Sequence, residues 1–205
     1  MSVKSYKAIQ RFSKELEGVF TLPDLKVILD EQTENTLFRA VRKFLESGDL
    51  IKIKRGFYAT PDASLAAISC RIEPDSYIST GTVLAQNAII GSIPARRIQA
   101  VKVGRPRTYK CQLGTIEHLS IAVHLYFGFN SINGRKIATK EKAFLDTCYY
   151  YYKGKTFSFD PATDINQADM DMQVVNLYLK KYDKHFVSFF KKFTSGNSTI
   201  RWISG

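Results

Sequence analysis

The stretch Thr33-Glu34-Asn35-Thr36-Leu37-Phe38-Arg39-Ala40-Val41-Arg42-Lys43-Phe44-Leu45-Glu46-Ser47-Gly48-Asp49-Leu50-Ile51-Lys52-Ile53-Lys54-Arg55-Gly56-Phe57-Tyr58-Ala59 carries two periodicities in succession. Leu37, Ala40, Val41, Phe44 and Leu45 recur at the three-and-four spacing of an amphipathic helix. Thr33 suits its start, because a threonine oxygen can accept from an otherwise unsatisfied amide of the first turn. Gly48 stops it, and the opposite face carries Asn35, Arg39, Arg42, Lys43 and Glu46. From Leu50 the period falls to two. Ile51 and Ile53 alternate with Lys52 and Lys54, the pattern of a half-buried strand. Arg55-Gly56 marks a tight turn, and Phe57-Tyr58-Ala59 returns as a second strand.

Upstream, Tyr6, Ile9, Phe12 and Leu16 have helical spacing, and Gly18 ends that helix. Val19-Phe20 is extended. Thr21-Leu22-Pro23-Asp24 fits a capping box, with proline in the first turn where its missing N–H costs nothing. Leu25, Ile28 and Leu29 form the buried face of this short second helix. Helix, extended link, helix, turn, helix and basic hairpin is the order of a winged helix-turn-helix. The expected N-terminal domain is therefore a DNA-binding one over residues 1–62, bounded by Thr60-Pro61-Asp62.

Downstream, a helix is expected over Asp62–Ile72, then extended Tyr77-Ile78, and a helix from Thr80 to Ile90 capped by Ser79. Strands follow at Ile98–Val103, Tyr109–Leu113 and Ile116–Ile121. A capped helix over Thr139–Tyr152, an extended Phe157–Phe159 and two helices near Met170–Lys181 and Asp183–Thr194 complete the chain. This predicts an α+β protein, with a mixed α+β second domain over residues 63–205.

The 205 residues hold 30 Lys and Arg against 19 Asp and Glu, a net charge of +11. Such an excess favours a polyanionic partner. Residues 1–62 contribute eleven basic against nine acidic side chains, so most of the excess lies in residues 63–205. No Asp or Glu occurs between Asp75 and Glu117, a stretch containing Arg96, Arg97, Lys102, Arg105, Arg107 and Lys110. No apolar run is long enough to span a membrane, and no secretory signal is expected from the polar amphipathic opening. Three widely spaced cysteines, Cys70, Cys111 and Cys148, suit a reducing cytoplasm rather than a disulfide framework. The histidines lack metal-site spacing, and no catalytic triad, phosphate-binding glycine loop or paired-carboxylate motif occurs. No enzyme activity, metal or cofactor is expected.

In a winged helix the third helix enters the major groove. Asn35 can then pair with adenine and Arg39 with guanine, while Thr36 can touch a thymine methyl. Arg42 and Lys43 fall nearer phosphates, and Lys52, Lys54 and Arg55 on the hairpin would grip the backbone or reach a minor groove. Arg96, Arg97, Lys102, Arg105, Arg107 and Lys110 are expected to form a second basic surface that contacts phosphates. Lys142 and Asp146, four apart, read as a surface ion pair. Tyr149–Tyr152 covers every face of a helix end, so its rings must be exposed or packed on the last helices.

The segments Tyr77-Ile78-Ser79, Val83-Leu84-Ala85 and Ile89-Ile90-Gly91 resemble a segment of AbiEi-type antitoxins, the antitoxin-repressors of type IV toxin–antitoxin systems. So do the basic hairpin Arg105–Lys110, the run Gly114–Ile121, and Ile137-Ala138-Thr139-Lys140-Glu141-Lys142-Ala143-Phe144-Leu145-Asp146. In the last of these Lys140 stands where the family has proline, and Phe144 where it has leucine. The resemblance covers about residues 10–150. It implies a cytoplasmic transcriptional autorepressor of an abortive-infection system, binding inverted repeats in double-stranded DNA of its own promoter. It also implies a second domain that opposes a nucleotidyltransferase-like toxin, with or without direct contact. The residues alone leave open a ligand-responsive repressor without a toxin partner.

Overall fold

A computed structural model describes residues 3–195, which form two compact units. The first takes the chain up to Pro74 together with Thr108–Ile116; the second takes Asp75–Arg107 and the chain from Glu117 onward. The division expected at residue 62 thus leaves out residues 63–74 and 108–116, which group with the first unit.

The first unit contains α1 (Val3–Glu15), β1 (Val19–Thr21), α2 (Leu22–Ile28), α3 (Glu34–Glu46), β2 (Ile51–Lys54), β3 (Phe57–Ala59) and α4 (Leu65–Ile72). Local chemistry accounts for the helix starts. Thr21 Oγ1 accepts from the Asp24 amide at 3.3 Å, and Asp24 Oδ2 accepts from the Thr21 amide at 2.7 Å, closing the expected capping box. Thr33 Oγ1 accepts from the Thr36 amide at 3.2 Å. The strands pair antiparallel in the order β1-β3-β2, with Val19 opposite Ala59 and Lys52 opposite Tyr58. Gly56 turns the β2–β3 hairpin at φ +78°, a conformation that L side chains rarely adopt. The apolar stripes converge on one core containing Ile9, Phe20, Leu25, Leu37, Val41, Phe44 and Leu50. The helix expected from Asp62 instead starts at Leu65, because Ser64 caps it by accepting from the Ala67 amide at 3.1 Å.

The remaining elements are β4 (Tyr77–Ile78), α5 (Thr80–Gln86), β5 (Arg97–Val103), β6 (Arg107–Cys111), β7 (Gly114–Ile121), β8 (Phe129–Ile132), β9 (Arg135–Ala138), α6 (Lys140–Tyr152), α7 (Met172–Leu179) and α8 (Lys184–Ser195). Six strands pair in the order β6-β7-β5-β4-β9-β8, with β4 antiparallel to β5 and parallel to β9. Helices and sheets occur in both units, and the fold class is α+β.

Three local expectations are corrected. α5 stops at Gln86 rather than Ile90, and Ser79 makes no cap bond because its hydroxyl is committed to Asp146. Residues 157–159 form no strand. The hairpin β8–β9 was not expected. Its signal is Asn133-Gly134, both at positive φ (+50° and +75°), the turn pair that matches strand twist. The tyrosines ending α6 pack on the last helix: Tyr149 lies 5.4 Å from Phe186, Tyr152 5.0 Å from Phe189, and Tyr151 5.6 Å from Phe193, between ring centroids.

Candidate nucleic-acid interface

Helix α3 sets the geometry of the first unit's polar face. Leu37, Val41 and Phe44 are buried, which turns Asn35, Arg39, Arg42 and Lys43 to solvent. Asn35 and Arg39 are one turn apart and neighbours on the helix surface. Thr36 is exposed, but its hydroxyl donates to the Thr33 carbonyl oxygen at 3.0 Å and is spent within the helix start. Arg42 Nε lies 2.8 Å from Glu46 Oε1 in an exposed pair that solvent screens and phosphate could displace. Thr36, Arg39 and Lys43 line a groove of about 310 Å³ with Ser5 of α1 and Glu31.

The β2–β3 hairpin divides its three cations. Lys52 and Arg55 are exposed. Lys54 is half-buried, with its ammonium 4.4 Å from the Phe57 ring centroid and 5.2 Å from that of Tyr109. Its charge is held against two aromatic faces. Tyr109, which is not among the expected site residues, belongs to the later segment of the same unit, and its hydroxyl donates to Glu73 at 3.4 Å. Charge spacing alone could not have found this pairing.

The six residues expected to form a second basic surface are not brought together on one face. Arg96, Arg97, Arg105, Arg107 and Lys110 are exposed, and Lys102 is half-buried. Arg97 and Lys102 stand five positions apart on β5, and strand alternation directs them to opposite faces. Lys110 belongs to the first unit and the other five to the second. The first acid beyond the acid-free stretch is taken up mainly by a lysine outside it. Glu117 Oε1 lies 2.5 Å from Lys155 Nζ, and Arg97 adds its field. Burial raises the Glu117 pKa, but hydrogen bonds from Gln99 and Lys155 outweigh it and hold the carboxyl below its ordinary value.

Lys142 and Asp146 are not the expected surface pair. Both side chains are wholly buried, with Nζ 2.6 Å from Oδ1. Every residue of α6 from Glu141 to Cys148 is buried, so i,i+4 spacing on this helix carries no implication of exposure. Both charged groups have further hydrogen-bond partners. Asp146 Oδ2 accepts from Tyr77 at 3.0 Å and Ser79 at 2.8 Å, and Lys142 donates to Tyr182 at 3.0 Å. Burial pushes the Tyr77 hydroxyl far above its ordinary pKa, reinforced by the Asp146 charge, so it stays a donor. The Tyr-Ile-Ser segment and the α6 motif thus meet in one buried hydrogen-bonded network.

Among the described residues no group of three or more His, Cys, Asp or Glu could hold a metal ion, and no helix is long and apolar enough to cross a membrane. The class this defines is a two-unit α+β protein whose first unit exposes a polar, basic helix face beside a basic hairpin. Its fold is similar to the crystal structure of the RV2827C protein from Mycobacterium tuberculosis, at a TM-score of 0.61 and 13% identity over 91% of this chain and 74% of that one. No family model and no curated protein matches the chain.

Proposed function

We propose that the first unit is a winged helix-turn-helix that reads double-stranded DNA, and that the protein is an antitoxin-type transcriptional repressor. One observation carries the DNA reading. The helix α3 buries Leu37, Val41 and Phe44 and so presents Asn35 and Arg39 outward, and the hairpin that follows exposes Lys52 and Arg55. Helix α3 would lie in the major groove, with Asn35 and Arg39 at base edges. Lys43, Lys52 and Arg55, with Arg42 once released from Glu46, would meet phosphates. Lys110 extends the first unit's basic set, while Arg96, Arg97, Lys102, Arg105 and Arg107 would add phosphate contacts only in part.

The antitoxin role is supported by the resemblance carried by Tyr77-Ile78-Ser79 and Thr139–Asp146, segments that share the buried Lys142–Asp146 network. Expression of the chain beside a nucleotidyltransferase-like toxin encoded next to it is expected to restore growth. Failure to restore growth removes the antitoxin half of the reading and leaves a repressor. The DNA half is tested by gel shift with duplex from the region upstream of its own gene. Preference for inverted repeats over scrambled duplex is expected, and equal binding to both rejects it.

A further inference from the structure

Phe38 is 49% exposed on α3, although Leu37 beside it is buried in the core. Three- and four-residue steps join it to Asn35 and Arg42, and Arg39 closes the same patch from Asn35. The ring sits at one edge of the helix's exposed face, beside Asn35 and Arg42, and it is the only apolar side chain that α3 exposes. The half of the side chain left in water gains nothing further from the fold of the unit. It gains burial only if something apolar meets this face. The floor of a DNA major groove offers one such group, the C5-methyl of thymine, at the level where Asn35 and Arg39 would meet base edges.

We propose that Phe38 is a specificity-determining residue, packing its ring on a thymine methyl beside the base pair addressed by Asn35. This rests on the DNA reading given above and adds to it a preference at a position where no hydrogen bond is made.

The test starts from duplexes selected by the full chain from a random pool. Each thymine of the selected site is replaced in turn by deoxyuridine, which removes only the methyl, and affinities are compared at fixed salt. For the unaltered chain one replacement is expected to weaken binding about three- to fivefold, the effect of losing one buried methyl-sized group. Phe38→Ala should bind the thymine and uracil duplexes equally, and Phe38→Leu should retain part of the difference. Circular dichroism of both variants checks that they fold. A selected site in which every thymine tolerates uracil overturns the inference and leaves the DNA reading intact. So does methyl discrimination that survives in Phe38→Ala, or a Phe38→Ala variant altered only in self-association by sedimentation. Selection that yields no preferred duplex overturns the DNA reading and this inference together.

Discussion

The Nζ of Lys142 lies 2.6 Å from Oδ1 of Asp146, and neither side chain reaches solvent. A buried pair of this kind adds little stability over apolar residues of the same volume, but a lone survivor is costly. Lys142→Met or Asp146→Ala is expected to lose about 3–5 kcal/mol in urea unfolding. The double replacement Lys142→Met with Asp146→Leu should recover most of that loss. Equal, additive losses would show that the two charges are not coupled.

Arg39→Ala should cost about 1–3 kcal/mol on the preferred duplex and much less on scrambled DNA, as removal of a base-edge contact does. Fluorescence anisotropy on the two duplexes measures the difference. A uniform loss on both would move Arg39 to the phosphates.

Arg55→Ala should reduce the slope of log K against log salt by roughly 1, as one phosphate contact disappears. Lys54→Ala should change the slope less, because its ammonium already rests on Phe57 and Tyr109. Its loss is expected in stability instead, at about 0.5–1 kcal/mol. Titration of binding over a salt series, beside urea unfolding, separates the two residues.

These expectations separate what was legible in the sequence from what was not. The α3 stripe and the Thr33 cap were legible because they depend on neighbours within one turn. The Gly56 turn was legible for the same reason, since only glycine takes its φ of +78° without strain. The burial of Lys142 was not, because its partners Tyr77, Ser79 and Tyr182 lie far away in sequence and arrive only with the fold. Arg97 and Lys102 were grouped by charge, whereas strand alternation divides them. The hairpin β8–β9 was readable from Asn133-Gly134, a local signal that the polar strands around it obscured.

Asp24 gives the first unit an acid-sensitive joint. Burial raises its pKa, but hydrogen bonds from Thr21 and the nearby Arg71 guanidinium, 2.8 Å away, outweigh it and hold the carboxyl below its ordinary value. A carboxyl depressed on folding contributes stability that is present above its ordinary pKa and lost as pH falls through the folded value. Asp24→Asn is expected to lower stability at neutral pH and to flatten its fall below about pH 4. Thermal unfolding at pH 7 and pH 3 measures this. An unchanged pH profile would mean that Asp24 is no more stabilised in the folded chain than in the unfolded one.

Under the proposed function, α3 reads DNA sequence through Asn35 and Arg39. The most direct measurement is the affinity of the full chain, at one fixed salt concentration, for duplex from the region upstream of its own gene and for the same bases scrambled. At least a thousandfold preference for the native duplex is expected, the lower bound of sequence-specific recognition, with its collapse in the double variant Asn35→Ala with Arg39→Ala. Equal affinity for the two duplexes, or a preference that survives the double variant, would contradict that function.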